Sequence, residues 1–518
     1  MFTVEENTYP FWGHFPSASG GRDPLAVQNS SVVIYTTMIE GITNVTLRVR
    51  YNGFYCWLLN LIGKNIFETD ASLVDSKATQ MRYLRRAELL LAYIMTNIPE
   101  YQSVTGVSGS IYAQNHPSVD GIFDLAKGAD VENGIANTYW RNSMGIFGQY
   151  YVGVLMQLGL VCPPDSTHHT YRATTDGDKL ADAYSSNIPE EKVMLFWQSI
   201  YKGKISHDVL TTMKEFALHS IPEGSELETY RSIIRGKDSI NYITEPTQYR
   251  IQSIKLLASF IEQEETTTRT CVSDFLRYNF EQVIANDLQV DIVPLSWFLY
   301  EFDELAHTAY ESFHFGLLYL LADDPLPLDQ VLFEIEQGIK DLCDADNITC
   351  LSDFLTSEMN IHEIYLQMFG RNLQREGIQR IYDACHLLIK LQSTLVNYYP
   401  MLFEFAARSG FGFSRRGYAP ELVDSLISGK EDQPIASFVE ETIIRAINDH
   451  TYSSYQKSSI DGGLVHNYII DEDTIRRFRK TNAVRTSPRL QSVLFYMEDL
   501  KWIAREDNKY VVKGGIDV

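Results

Sequence analysis

The sequence is poor in chemistry that would declare a function. Six cysteines are spread over 518 residues, at 56, 162, 271, 343, 350 and 385. No two stand in the C-x-x-C spacing of a zinc knuckle or a thiol redox site. Reduced, mostly buried thiols of a cytoplasmic protein are expected instead. Positive charge is scarce as well: 44 Lys and Arg stand against 67 Asp and Glu, for a formal net charge of -23. A molecule with that balance does not grip DNA or an anionic membrane as a whole, which leaves only local basic patches to consider. No run reaches the roughly 20 apolar residues that span a bilayer. The opening residues, MFTVEENTYPFWGHF, lack the basic and apolar regions of a secretory signal. The G-x-S-x-G, H-E-x-x-H and P-loop signatures are absent too, so no catalytic motif, metal or cofactor is predicted.

What is present is a large apolar fraction, 45% of the chain, enough for roughly two to four domains of about 150 residues each. The periodicity is mainly helical, and breaks in it suggest four regions. These are an N-terminal helical region (1–119), a winged-helix-like module (120–190), a helical domain (191–450) and a basic winged-helix-like module (451–518). The fold class expected is mainly α, a multi-helical body with two small β-hairpins.

In GITNVTLRVRYNGFYCWLL, residues 41–59, two periods compete. Val45, Leu47, Val49 and Tyr51 alternate as in a strand, whereas Leu47, Tyr51, Phe54, Tyr55, Leu58 and Ile62 form a helical stripe. The longer match predicts a core helix over 44–62, capped by Thr43 or Asn44. Arg48 or Arg50 would then pair with acids of the same chain. Further on, a helix ending near Leu158, the short run LVC, a turn and TYRAT follow the helix–strand–turn–strand order of a winged helix. Gly159 would close the first helix and Thr175 or Asp176 would cap the next. The order returns in TSPRLQSVLFYMEDLKWIAREDNKYVVKGG, with Ser487 as the expected cap, Pro488 in the first turn and the turn REDN between strands.

Four groups of residues are candidates for chemistry. Glu304, His307, Glu311 and His314 form a tandem E-x-x-H, a di-metal ligand pattern when it faces the inside of a bundle. The apolar stripe of that segment lies on the other side, so a solvated or partner-facing surface without metal is predicted. Arg380 with His386, and Arg445 with His450, resemble the Arg–His pairs of helical HEPN ribonucleases, which stabilise phosphate and move a proton. Arg415 and Arg416 stand in the aromatic loop SGFGFSRRGY, which suits stacking on a base or contact with phosphate. Residues 474–513 hold ten Lys or Arg against four acids. Within them Arg477, Arg485, Arg489, Arg505 and Lys509 are the candidate nucleic-acid contacts; docking of the same charges onto the protein's own acidic surface is the competing reading.

Gly41, Ile42, Thr46, Arg50, Tyr51, Phe54 and Trp57, within residues 23–59, resemble the start of an uncharacterised bacterial family met in phage-defence and mobile-element neighbourhoods. Glu40 stands where that family often has proline. The resemblance implies a bacterial cytoplasmic defence component and carries over no catalytic residue. The combined expectation is a non-enzymatic component of an anti-phage defence or DNA-processing complex. It would contact nucleic acid, DNA in preference to RNA, through the C-terminal module and partner proteins through the rest, with no membrane contact. A metal-independent ribonuclease using the Arg–His pairs, and a structural or toxin-neutralising subunit, are the alternatives.

Overall fold

The computed structural model describes residues 23–516 apart from 71, 74, 75, 237–244, 322, 323, 370–376, 414–416, 462–464, 480 and 481. The described residues form twenty α-helices and four small antiparallel sheets, so the fold is mainly α. None of these helices is long and apolar enough to cross a membrane. The chain divides into two compact units, each discontinuous in sequence: Thr36–Phe275 with Arg489–Val518, and Met1–Tyr35 with Leu276–Pro488.

The first unit is organised on the helix Arg50–Ile62, which is buried along nearly its whole length. It starts later than the stripe predicts because the preceding residues have another use for their polar groups. Thr43 and Thr46 bond to each other, hydroxyl to hydroxyl at 2.9 Å and Thr43 N–H to Thr46 Oγ1 at 3.2 Å, and this makes a turn. Neither Thr43 nor Asn44 caps the helix; the N-cap position is Val49. The Val49 N–H donates to Asp499 at 3.2 Å. The buried rings of Tyr51, Phe54, Tyr55 and Trp57 pack against Tyr151, Tyr184 and Phe196 with centroids 4.7 to 6.4 Å apart. Gly53 makes room for this: a Cβ there would overlap the Tyr230 hydroxyl, which donates to the Arg50 carbonyl at 3.1 Å.

The helix–hairpin order expected at two places is present in this unit. Val161–Cys162 pairs with Arg172–Ala173 after the helix Val152–Gln157, and Gly159 adopts φ +70° between them. The next helix, Thr175–Ser185, is capped by the Thr174 hydroxyl, one residue earlier than predicted. At the C-terminus the helix Leu490–Asp499 is followed by the hairpin Ile503–Glu506 and Lys509–Val512. Asp507 and Asn508 form the two-residue turn, both at positive φ, as the right-handed twist of a hairpin requires. Ser487 does not cap this helix; Arg489 precedes it in a left-handed conformation.

The second unit is built around a 29-residue helix, Ile292–Leu320. It packs most extensively on Ile378–Leu395, and also on Ile435–Asp461 and Ala419–Ile427. Gly316 leaves room for this packing, since a Cβ there would lie 2.5 Å from Ile381 and 3.0 Å from the Gly377 carbonyl oxygen. A three-stranded sheet places Thr474–Arg477 between Leu326–Pro327 and Tyr468–Asp471.

Candidate functional site

A buried polar cluster lies along Ile292–Leu320, and it corrects the surface reading of the tandem E-x-x-H. Glu304, His307, Glu311 and His314 are at most 1% exposed, as are Glu301 and Asp303. The apolar stripe is real, but the opposite side of the helix is covered by segments distant in sequence that bring polar partners. Thr486 donates to Glu304 through its N–H at 2.7 Å and its hydroxyl at 2.5 Å. Arg485 bonds Glu301 and lies 3.7 Å from Glu304, with its guanidinium 5.3 Å over the Tyr365 ring. His362 reaches Glu301 at 3.2 Å, and Gln28 donates to Glu311 at 2.7 Å.

Within the helix, His307 stands between two acids one turn away on either side, 3.2 Å from Glu304 and 3.6 Å from Glu311. Burial disfavours its charge, yet the two carboxylates raise its pKa to about 10. Burial would also raise Glu301 and Glu304, but Arg485 with His362 holds the first below the usual range, and His307 with Arg485 holds the second there. Glu311 and Asp303 are raised, chiefly by burial. Arg485 and His307 are thus the cations that face the carboxylates of Glu301, Glu304 and Glu311. A buried cluster of this kind is tolerable only when so matched.

One turn on, His314 continues the cluster as a neutral group. Its Nε2 lies 2.9 Å from the Asn467 amide, and the Asn467 N–H donates to His450 Nε2 at 3.0 Å. His450 Nδ1 then donates to the Pro24 carbonyl at 3.2 Å. Burial depresses both histidines, His450 to about 4. Among the described residues no group of three or more His, Cys, Asp or Glu side chains is arranged to hold a metal ion. What this arrangement does chemically is fix which distant segments may lie against the central helix.

The predicted nucleic-acid contacts fall into different environments. Arg477 and Arg485 belong to the unit of the central helix, and Arg489, Arg505 and Lys509 to the other. Arg477 donates to the Leu318 carbonyl at 3.3 Å, and Arg489 to the Ile42 carbonyl at 3.2 Å. Arg505 pairs with Glu498 at 2.6 Å and Lys509 with Glu265 at 3.4 Å. Arg415 and Arg416 lie outside the described residues. Among their described neighbours, Phe413 stacks on Tyr418 with centroids 4.9 Å apart and meets Phe411 edge-on at 5.5 Å.

The Arg–His pairs are likewise engaged. The Arg380 guanidinium lies 5.2 Å over Phe369, while His386 is buried and stacked on Phe354 at 4.8 Å. Arg445 reaches the Ser425 hydroxyl at 3.0 Å, whereas its partner in sequence, His450, bonds Pro24 and Asn467.

Sequence reasoning did not connect Gln28, His362, Asn467 and Arg485 to the central helix. One local signal does point inward: no Lys or Arg occurs anywhere in Ile292–Leu320, although a solvated face with this many acids normally carries them. No protein-family model, curated protein or solved structure matches the chain.

Proposed function

We propose that the chain is a non-enzymatic component of a bacterial anti-phage defence or DNA-processing complex, and that it meets its partners mainly through protein surfaces. The observation that supports this best is the matching of its cations. Each described candidate contact, from Arg477 to Lys509, has an acceptor within its own chain, in a protein of net charge -23. The bacterial defence setting rests on the resemblance of residues 23–59. Engagement of the four Arg–His residues with other partners speaks against the ribonuclease alternative. The test is co-expression with the products of the neighbouring genes, followed by size-exclusion chromatography and RNA-cleavage assays. A stable complex with no cleavage supports the reading; cleavage lost on His386→Ala or His450→Ala replaces it with the ribonuclease.

A second reading keeps DNA as a partner of a winged-helix-like C-terminal module. Its support is the exposure of Arg505 and Lys509, whose side chains are 47% and 50% accessible. Ion pairs at such exposure contribute little, about 0 to 1 kcal/mol, and exchange readily for phosphates. Labelled duplex titrated at low and moderate salt separates the two. A salt-sensitive affinity on the order of 10⁻⁴ to 10⁻⁶ M, lost on charge reversal at both residues, favours DNA.

A further inference from the structure

A cleft of about 440 Å³ opens in the first unit, along residues 107–112, at Asn115 and His116, and at Tyr139 and Trp140. That volume falls within the range of small-molecule sites, roughly 300 to 1,000 Å³. Its walls are aromatic and already held in place. Tyr112 and His116 stack with centroids 3.8 Å apart and planes 12° from parallel. Trp140 donates its indole N–H to Gln149 at 2.8 Å and packs edge-on against Tyr150. Tyr139 is fixed through its hydroxyl, which donates to the buried Glu88. Glu88 also accepts from Tyr55 and from the N–H groups of Ile146 and Phe147, at 2.7 to 3.0 Å. Gly109, at φ +82°, lets the loop lie close to the Tyr139 ring, 3.3 Å from where its Cβ would be.

The polar groups of the lining define the ligand further. No Lys, Arg, Asp or Glu side chain lines the cleft, so no permanent charge there compensates a phosphate or a carboxylate. His116 Nδ1 lies 2.9 Å from the Tyr112 carbonyl oxygen, which only accepts. Nδ1 therefore carries a proton, and in the neutral tautomer Nε2 is an acceptor. Ser110 offers a donor and an acceptor, and the Asn115 amide offers both as well. Flat aromatic walls with mixed donors and acceptors suit a flat ring whose edge carries both. An aromatic amino-acid side chain presents at most one such group and would leave most of them unused.

We infer that this cleft binds an uncharged nucleobase or nucleoside, its faces against the aromatic walls and its edge toward Ser110, Asn115 and His116. This site is independent of the partner surfaces proposed above. The test is calorimetric titration of the full chain with adenosine, guanosine, cytidine and uridine, with adenosine monophosphate and N-acetyl-tryptophan amide as comparisons. At least one nucleoside should bind one to one, and the monophosphate no more tightly than its nucleoside. Trp140→Ala should weaken binding by about 5- to 150-fold through loss of stacking. Asn115 is exposed, so Asn115→Ala tests the same site without touching the core, and about 10-fold weakening is expected. No nucleoside binding at millimolar concentration overturns the inference. So does binding that neither variant changes, or binding of the tryptophan amide with no nucleoside bound.

Discussion

Thr486 holds the buried carboxylate of Glu304 with two hydrogen bonds, from a position 182 residues away in sequence. The same carboxylate faces His307 at 3.2 Å. Removing it takes one of two anions from beside a buried imidazolium and leaves the Thr486 backbone N–H without its acceptor. Glu304→Ala should therefore cost on the order of 3 to 5 kcal/mol. Thr486→Val keeps the backbone bond and the shape, and should cost about 1 kcal/mol. Denaturant midpoints of the two variants check this; equal losses would mean that the carboxylate acts as no more than one hydrogen-bond acceptor.

The charge on His307 gives the stability a pH dependence of known sign. Its folded-state pKa, about 10, lies above the ordinary histidine value of 6.5. The stabilisation is fully present below about pH 6.5 and is lost as pH rises toward 10. Glu311, raised by burial, acts in the same direction starting from lower pH. Urea unfolding measured from pH 6 to 10 should show falling stability, with a smaller slope in His307→Gln. An unchanged slope in that variant assigns the dependence to other groups.

Some of this was legible in the sequence. The helical periodicity over 50–62 and the C-terminal turn at REDN are local properties, carried by spacing and residue type, and the pairing of Arg48 and Arg50 follows from their apolar surroundings in an acidic chain. Arg48 and Arg50 both pair with acids of the chain, with Asp499 at 2.8 Å and Glu226 at 2.7 Å. The surroundings of His307 were not legible, because helical spacing reveals which residues share a side and not what covers that side. The covering residues, Gln28, Asn467, Arg485 and Thr486, lie more than 150 residues from the helix positions they bond, and no local pattern links them. The start of the Arg50 helix was missed for a local reason, the Thr43–Thr46 turn that competes with helix formation.

Arg50 permits a stricter test of buried pairing. Its guanidinium bonds both Glu226 oxygens, at 2.7 and 3.2 Å, and also the Glu215 and Ala217 carbonyls, at 2.9 and 2.5 Å. Arg50→Met strands a buried carboxylate and should cost about 3 to 5 kcal/mol. Arg50→Met combined with Glu226→Leu removes both charges and should recover much of that loss, although the two carbonyls stay unpaired. A double mutant no more stable than the single one would place the energy of the site in the carbonyl bonds.

The basic residues near the C-terminus should separate by burial in a way that a shared nucleic-acid surface would not produce. Arg485 faces the fully buried Glu301 and Glu304, and burial tells against its charge while these two acids hold its pKa above the ordinary value. Lys509 is 50% exposed and its partner Glu265 is 92% exposed. Charge reversal at Arg485 places a third negative charge against two buried ones and should destabilise by on the order of 3 to 5 kcal/mol. Reversal at Lys509 should stay within about 0.5 kcal/mol of the parent, as surface substitutions usually do. Thermal unfolding of Arg485→Glu and Lys509→Glu compares them directly. A melting temperature unchanged by Arg485→Glu would show that this arginine is not needed by the central helix, and would return it to the candidate nucleic-acid contacts. A clear drop assigns its charge to holding the 485–486 segment against Glu301 and Glu304.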